Sequence, residues 1–334
     1  MTLRIGIIAL GKISERTHLP LYKEVKGAQV VAACDPDEER ALLMQDQFKI
    51  PRIYKSYQEM FAHEELDAVS VNSPHRFHAE QAIAAAKRGL HVLVEKPMAL
   101  SVKDIRAMIA ASRKAGKVLM VEQFMRFHPA VYKAREVIQS GKLGKVLTIR
   151  GHFGHAGPEY WSPEGKWFLQ KKEAQGGTML DIGVHEMDLM RYISGKQVAQ
   201  VAAFLGTLKK KIDVEDNAVA ILRFDDGTLG TLESSWTNDP GSCRTEFYCE
   251  KGNLEMNLSG KDPLVIYRPN KTPQPVSLPK KHPEKSPMAY FVKCIREGLV
   301  PHCDGVEGGR SCAVVLMAAI SDKEKRIVKV PEIA

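Results

Sequence analysis

One pattern recurs three times in the first part of the chain: a helical segment, a basic residue, a glycine, then an apolar strand. It occurs at Lys26-Gly27, Arg88-Gly89 and Lys114-Ala115-Gly116. A glycine there lets a helix end in the left-handed conformation, and strict alternation of helix and strand requires crossovers and a parallel sheet. The strands read as Leu3–Ala9, Gln29–Cys34, a short one at Ile53, Ala68–Val71, His91–Val94 and Val118–Val121. Between them lie helices opened by cap signals at Asp35-Pro36, Ser56 and Ser101. In such sheets ligands bind beyond the carboxyl ends of the strands.

The pattern changes after about Gln123. A helix (127–138) and a strand (145–153) lead into an irregular stretch rich in Gly, Pro and Trp, then a helix from Thr178 to Ile193. From Val198 to Tyr267 the chain reads as successive strands, with turn signals at Asp225-Asp226-Gly227, Asp239-Pro240-Gly241 and Lys251-Gly252-Asn253. Two helices, 286–297 and 306–323, close it. At 334 residues two domains are expected. The division is 1–122, an α/β domain with a parallel sheet, and 123–334, an α+β domain with a large, mostly antiparallel open sheet.

Composition excludes several classes. No apolar run reaches the length of a membrane span, and the apolar start, with no cleavage region after it, reads as a first strand rather than a signal peptide. Six cysteines form neither a CxxC pair nor a zinc spacing, which points to a reduced, cytoplasmic protein. A formal charge of +8 is spread thinly; its longest run, Lys209-Lys210-Lys211, reads as a loop, and no nucleic-acid motif accompanies it. No nucleic-acid or membrane partner is expected.

Three groups of residues carry chemistry. Ala9-Leu10-Gly11-Lys12-Ile13-Ser14 stands where a dinucleotide fold has G-x-G-x-x-G, and only the middle glycine is present. It follows a strand, opens a helix, and is matched by Asp35 at the end of the second strand, where an acid hydrogen-bonds a ribose 2′-hydroxyl. Asp35 also reads as a helix cap. Asn72-Ser73-Pro74-His75 ends the fourth strand and either shapes a cofactor pocket or caps the next helix.

Glu95-Lys96-Pro97 ends the fifth strand. Proline fixes its own φ and biases Lys96 away from helical geometry. Lys96 is either a donor to a substrate oxygen or a surface lysine in a strand exit. In Gly177-x-x-x-Asp181-x-Gly183-x-His185-x-x-Asp188, the last three polar residues fall at i, i+4 and i+7 of a helix and share a face. An aspartate one turn from a histidine fixes its tautomer and suits it to general-base work. The alternatives are a capping box from Thr178 and Asp181, or a metal face with no second ligand cluster nearby in sequence. His152 and His155 fall on opposite faces of a strand, so no metal is expected there. Arg126, His128, Tyr160, Trp161 and Trp167 flank the irregular stretch and read as either packing or a polar pocket lining.

On Glu95-Lys96-Pro97 and the Gly177–Asp188 motif, from Leu3 to about Val330, the chain resembles the glucose-fructose oxidoreductase, inositol dehydrogenase and rhizopine-catabolism (Gfo/Idh/MocA) family. The resemblance implies a Rossmann domain, a C-terminal domain whose open sheet forms an oligomer interface, and oxidation or reduction of one carbon of a sugar, cyclitol or related polyol with a nicotinamide cofactor. It makes Lys96, Asp181 and His185 catalytic. It puts Gly11, Lys12, Ile13, Asp35, Ser73, Pro74, His78, Glu95, Lys96, Gln123 and Trp167 at or near the cofactor; Lys96, Asp181 and His185, joined by Arg126 and Trp161 from their place around the irregular stretch, are expected at the substrate. Ala9, Ser14 and Ser73 depart from the family's usual residues, and 154–175 matches no particular member. Asp35 followed by Pro36 favours NAD over NADP. Apolar residues on both faces of the 198–267 strands imply a homodimer or homotetramer. The competing reading is a catalytically silent dinucleotide-binding sensor, against which the intact acid–base set argues.

Overall fold

The computed structural model describes residues 2–163 and 165–334. The chain divides into two compact units. The first comprises residues up to Gln123 together with Glu284–Gly309 and Ala334; the second comprises Phe124–Pro283 and Arg310–Ile333.

In the first unit the elements run β1 (Leu3–Ile8), α1 (Leu19–Glu24, entered through a π-helical turn Ser14–His18), β2 (Ala28–Cys34), α2 (Glu38–Phe48), β3 (Arg52–Tyr54), α3 (Tyr57–His63), β4 (Ala68–Val71), α4 (His78–Lys87), β5 (His91–Val94), α5 (Val102–Ala115) and β6 (Leu119–Val121). All six strands are parallel, in the order β3-β2-β1-β4-β5-β6. The order reverses beside β1, and that switch point is where such sheets bind nucleotides. β4 is buried along its whole length, as helices on both faces demand. Ser56 and Ser101 cap α3 and α5 as the sequence indicates. Asp35 does not cap α2. Asp37 does, accepting from the Arg40 N–H at 3.0 Å, because the helix starts only at Glu38.

The segment assigned by sequence to the second domain is split. Residues 284–309, including α9 (Pro287–Glu297), pack on the first unit. Arg296 donates to the Gly27 carbonyl at 3.1 Å, and Val121 N–H donates to the Cys303 carbonyl at 2.8 Å, which covers the open edge of β6.

The second unit holds α6 (Pro129–Gln139), β7 (Val146–Gly154), the short α7 (Lys171–Ala174), α8 (Val184–Ser194), β8 (Val198–Gly206), β9 (Asn217–Phe224), β10 (Leu229–Ser235), β11 (Ser242–Cys249), β12 (Gly252–Asn257), β13 (Leu264–Tyr267), β14 (Gln274–Pro275) and β15 (Val328–Lys329). Helix α10 (Gly305–Glu324) starts in the first unit and continues into this one. Nine strands form one sheet in the order β14-β13-β12-β11-β7-β10-β9-β8-β15, antiparallel except for β7 with β10. On β9 the residues alternate: Ala218, Ala220, Leu222 and Phe224 are buried, while Val219 and Ile221 stay 46% and 60% exposed. Phe204 of β8, paired with Val219, is 74% exposed. The outer face of this end of the sheet is therefore apolar and uncovered. The Lys209–Lys211 run is a loop: Asp216 accepts the Leu208, Lys209 and Lys210 N–H groups at 2.7–2.9 Å. Among the described residues no helix is long and apolar enough to cross a membrane.

His91, at the start of β5, accepts the Val118 N–H at 3.0 Å through Nδ1. Burial pushes its pKa down from 6.5 to about 4, so the folded chain holds it neutral. The unfolded chain protonates it near 6.5, so its contribution is complete above that pH and is lost as pH falls towards 4. Accordingly, the urea midpoint of the wild type should fall relative to that of His91→Gln as pH drops from 6.5 to 4. Parallel pH curves for the two proteins would contradict this.

Candidate active site

The carboxyl ends of the parallel strands carry one cluster of candidate residues. Beyond β1, Ala9 takes a left-handed φ of 70°, where the first glycine of a dinucleotide turn ordinarily sits. The turn holds because its polar groups are engaged. Ser14 Oγ donates to the Ala9 carbonyl at 2.7 Å and accepts from Asn72 Nδ2 at 2.8 Å. Leu10 N–H donates to Asp35 Oδ2 at 2.7 Å, and Asp37 N–H donates to Asp35 Oδ1 at 2.9 Å. Ser14, at the last glycine position, thus ties the turn to the end of β4. At Gly11 an added Cβ would meet nothing within 4 Å, so the backbone there is open to a ligand. Lys12 and Ile13 follow at the helix entrance.

Further along the rim, Ser73 Oγ donates to Gln81 Oε1 at 2.7 Å. His78 is fully buried, with Nδ1 2.8 Å from the Pro97 carbonyl and Nε2 2.7 Å from the Ser73 carbonyl. Burial pushes its pKa below the ordinary value. It brackets the loops after β4 and β5, which carry Ser73-Pro74 and Lys96-Pro97. Glu95 is 6% exposed; its Oε1 lies 2.8 Å from His18 Nε2 and its Oε2 accepts the Lys96 N–H at 3.3 Å. Lys96 is half-buried, and its peptide to Pro97 is cis. Gln123, just past β6, is buried with no hydrogen-bond partner for its Nε2. Ten of the sequence-selected positions therefore share one rim: Gly11, Lys12, Ile13, Asp35, Ser73, Pro74, His78, Glu95, Lys96 and Gln123. His18 joins this rim through Glu95 with no sequence motif of its own, a lone histidine before α1.

The second unit carries a cluster of candidate residues of its own. The regular i, i+4 spacing expected for Asp181 and His185 is replaced by a π-helical turn, Met179–Gly183, running into α8. Such turns are rare and often occur at functional sites. The glycines of the motif have steric reasons. A Cβ on Gly177 would lie 1.9 Å from the Glu215 carbonyl oxygen, and one on Gly183 would lie 2.9 Å from Met179 Sδ. Thr178 makes no capping bond, so the capping-box alternative fails. Asp181 and His185 are 2% and 4% exposed, and the His185 ring meets Phe124 edge to face at 5.0 Å. Leu180, Val184 and Met187 are core, as expected.

Asp188 is engaged by Arg126. The Arg126 guanidinium grips Asp188 with two 2.6 Å bonds, and Ser311 Oγ donates to the same carboxylate at 2.8 Å. The pair is buried, and Arg126 also lies over the Tyr192 ring. Arg126, expected at the substrate, is thereby engaged in a structural ion pair. Glu186 faces the sheet, accepting from Thr245 Oγ1 at 2.6 Å, and burial pushes its carboxyl up to about 8. Trp161 and Trp167 both pack on Phe168, and His128 caps α6 through the Ala130 N–H. Nearby is an open cavity of about 700 Å³, lined by Ser162, Lys166, Leu169, Gln170 and Lys211 among others. No group of three or more potential metal ligands occurs among the described residues.

Residues 3–123 match the family model described as an oxidoreductase family with an NAD-binding Rossmann fold. Residues 131–255 match the GFO/IDH/MocA C-terminal domain. D-glucoside 3-dehydrogenase of Escherichia coli is 30% identical over 70% of this chain and 70% of its own. The chain belongs to the Gfo/Idh/MocA family. Another relative, myo-inositol 2-dehydrogenase of Thermotoga maritima, is 29% identical and covers 99% of both chains. The crystal structure of aldose-aldose oxidoreductase from Caulobacter crescentus complexed with glycerol superposes with a TM-score of 0.86 at 26% identity, covering 98% of this chain and 100% of that one. As a member of the Gfo/Idh/MocA family, the protein is an NAD-binding oxidoreductase of the sugar and polyol dehydrogenase type.

Ala9 yields a test of the turn. Left-handed geometry costs an L-residue roughly 1–2 kcal/mol, part of which a glycine's entropy returns. Ala9→Gly should therefore raise unfolding free energy by about 0.5–1 kcal/mol in urea melts. A loss of stability would mean that the alanine methyl makes a contact outweighing the strain.

Proposed function

We propose that this enzyme transfers hydride between NAD and a secondary carbinol or carbonyl carbon of a sugar, cyclitol or related polyol. Lys96, Asp181 and His185 form its acid–base set. The observation that carries the reading is the Lys96 rim. A lysine follows a buried strand, its own N–H is held by Glu95, and it stands at the same carboxyl edge of the sheet as the open Gly11 turn, two strands along.

The residues present fit a dinucleotide. Gly11 leaves room for the pyrophosphate at a helix entrance, Asp35 has carboxylate lone pairs left for a ribose hydroxyl, and buried Gln123 offers an unused amide donor. The nicotinamide ring, when bound, accepts or returns the hydride. The chain's own groups handle the proton and the charge. His185 takes the hydroxyl proton, since imidazole ordinarily titrates near neutral pH. Asp181 orients that imidazole. The Lys96 ammonium stabilises the developing alkoxide and, in the reverse direction, polarises the carbonyl. Asp35 favours NAD, because its carboxylate repels a 2′-phosphate and Pro36 supplies no compensating cation. Trp167 and Trp161 are assigned to the cofactor and substrate sides of the irregular segment, and Arg126 to holding Asp188.

The exposed apolar patch of Phe204, Val219, Ile221 and Leu229 supports a homodimer or homotetramer through the sheet's outer face. Lysine or glutamate at Ile221 should shift the particle to monomer in light scattering at micromolar concentration. A wild-type monomer under those conditions would remove the proposal.

Lys96→Ala and His185→Ala should each lower kcat by about a hundredfold or more, the loss usual for a positioned acid–base group. NAD affinity should change little for His185→Ala, and Asp181→Asn should slow turnover less than either. Steady-state kinetics on an identified polyol, with cofactor binding measured by fluorescence, decides it. Near-normal kcat in His185→Ala beside an inactive Lys96→Ala would leave the lysine as sole acid–base group.

A further inference from the structure

Two cations converge on one carboxylate beside the nucleotide turn. Glu15 Oε2 lies 2.7 Å from Arg40 Nη2 and 3.2 Å from Lys12 Nζ. The three side chains are about one-fifth exposed, so a soluble ligand can reach them. Hydrogen bonding to Arg40 holds the Glu15 carboxyl below its ordinary pKa, so it is ionised at neutral pH.

Arg40 is anchored a second time. Its Nε donates to the Leu10 carbonyl at 2.8 Å, and the N–H of the same Leu10 donates to Asp35 Oδ2 at 2.7 Å. The guanidinium therefore sits one residue's backbone away from the acid assigned to ribose recognition. A site for a 2′-phosphate needs an arginine in this neighbourhood, and a guanidinium suits a phosphate by its planar fork. Arg40 is such an arginine, held in place by Leu10, with its outer nitrogen engaged by Glu15. Lys12, Arg40, Glu15 and Asp35 sum to zero charge, +2 and −2; without Glu15 they sum to +1.

We infer that Glu15 is a specificity-determining residue: it occupies a latent 2′-phosphate subsite formed by Arg40 and Lys12, and so selects NAD over NADP together with Asp35. This rests on the NAD-selecting reading above. It differs in mechanism. Asp35 repels the phosphate directly, whereas Glu15 withholds the cations that would receive it, a discrimination built by denying a contact.

The test is binding of NAD+ and NADP+ to the full chain by titration calorimetry, for wild type, Glu15→Gln, Glu15→Ala and Glu15→Gln/Arg40→Met, with melting temperatures alongside. Wild type should bind NAD+ more tightly. Either single substitution should tighten NADP+ about tenfold, the scale of one unmasked charge pair near a surface, and leave NAD+ within about twofold. Adding Arg40→Met should abolish the gain. NADP+ affinity unchanged in both Glu15 variants would overturn the inference, as would a gain that survives loss of Arg40. A wild type that already binds NADP+ as tightly as NAD+ would instead overturn the NAD reading, and the inference with it, before any substitution is made.

Discussion

The hydrogen bond from Leu10 N–H to Asp35, 2.7 Å long, is the constraint on which the nucleotide half depends. It joins the end of β1 to the end of β2, on one side of the switch point between β1 and β4. Around it the turn adopts a backbone that its sequence does not favour, with an alanine in left-handed geometry and a serine in place of a glycine. A turn with three glycines is shaped by freedom from Cβ atoms. This one is shaped by polar clamps: Ser14 on Ala9, Asn72 on Ser14, Arg40 on Leu10. Two of the three clamps come from outside the turn, Asn72 from the end of β4 and Arg40 from α2, so its geometry depends on its neighbours as well as on its own residues.

The Lys96 rim follows the same logic. Glu95 spends one carboxylate oxygen on His18 of the first helix and the other on the Lys96 backbone. A buried carboxylate must be paired, and here its partners hold the lysine's backbone in register with the nucleotide turn. In the second unit the equivalent constraint is the Arg126–Asp188 pair. Its desolvation is compensated by two short bonds and by Ser311, and removing either partner would strand a buried charge at about 3–5 kcal/mol. Beside it the π-helical turn sets where Asp181 and His185 point, because Gly177 can press onto the Glu215 carbonyl only without a side chain.

What the sequence determined by itself was local or periodic. Helix–glycine–strand alternation dictated the parallel sheet, and strand β4 was read at its observed bounds. Serine caps, hairpin turns and the core face of α8 followed from residue type and spacing, because those signals act within one turn or one strand. The rim residues Gly11, Asp35, Ser73, Glu95 and Lys96 were legible for the same reason, since each directly follows a strand. What only tertiary structure decided were the partnerships of polar groups distant in sequence. Asp35 became a clamp for Leu10 and left the cap to Asp37; Arg126 was taken by Asp188; residues 284–309 joined the first unit to cover β6; a π-helical turn replaced the regular spacing at Asp181. A charged or polar side chain is satisfied by whichever partner packing brings within 3 Å, and a one-dimensional pattern carries no record of that distance.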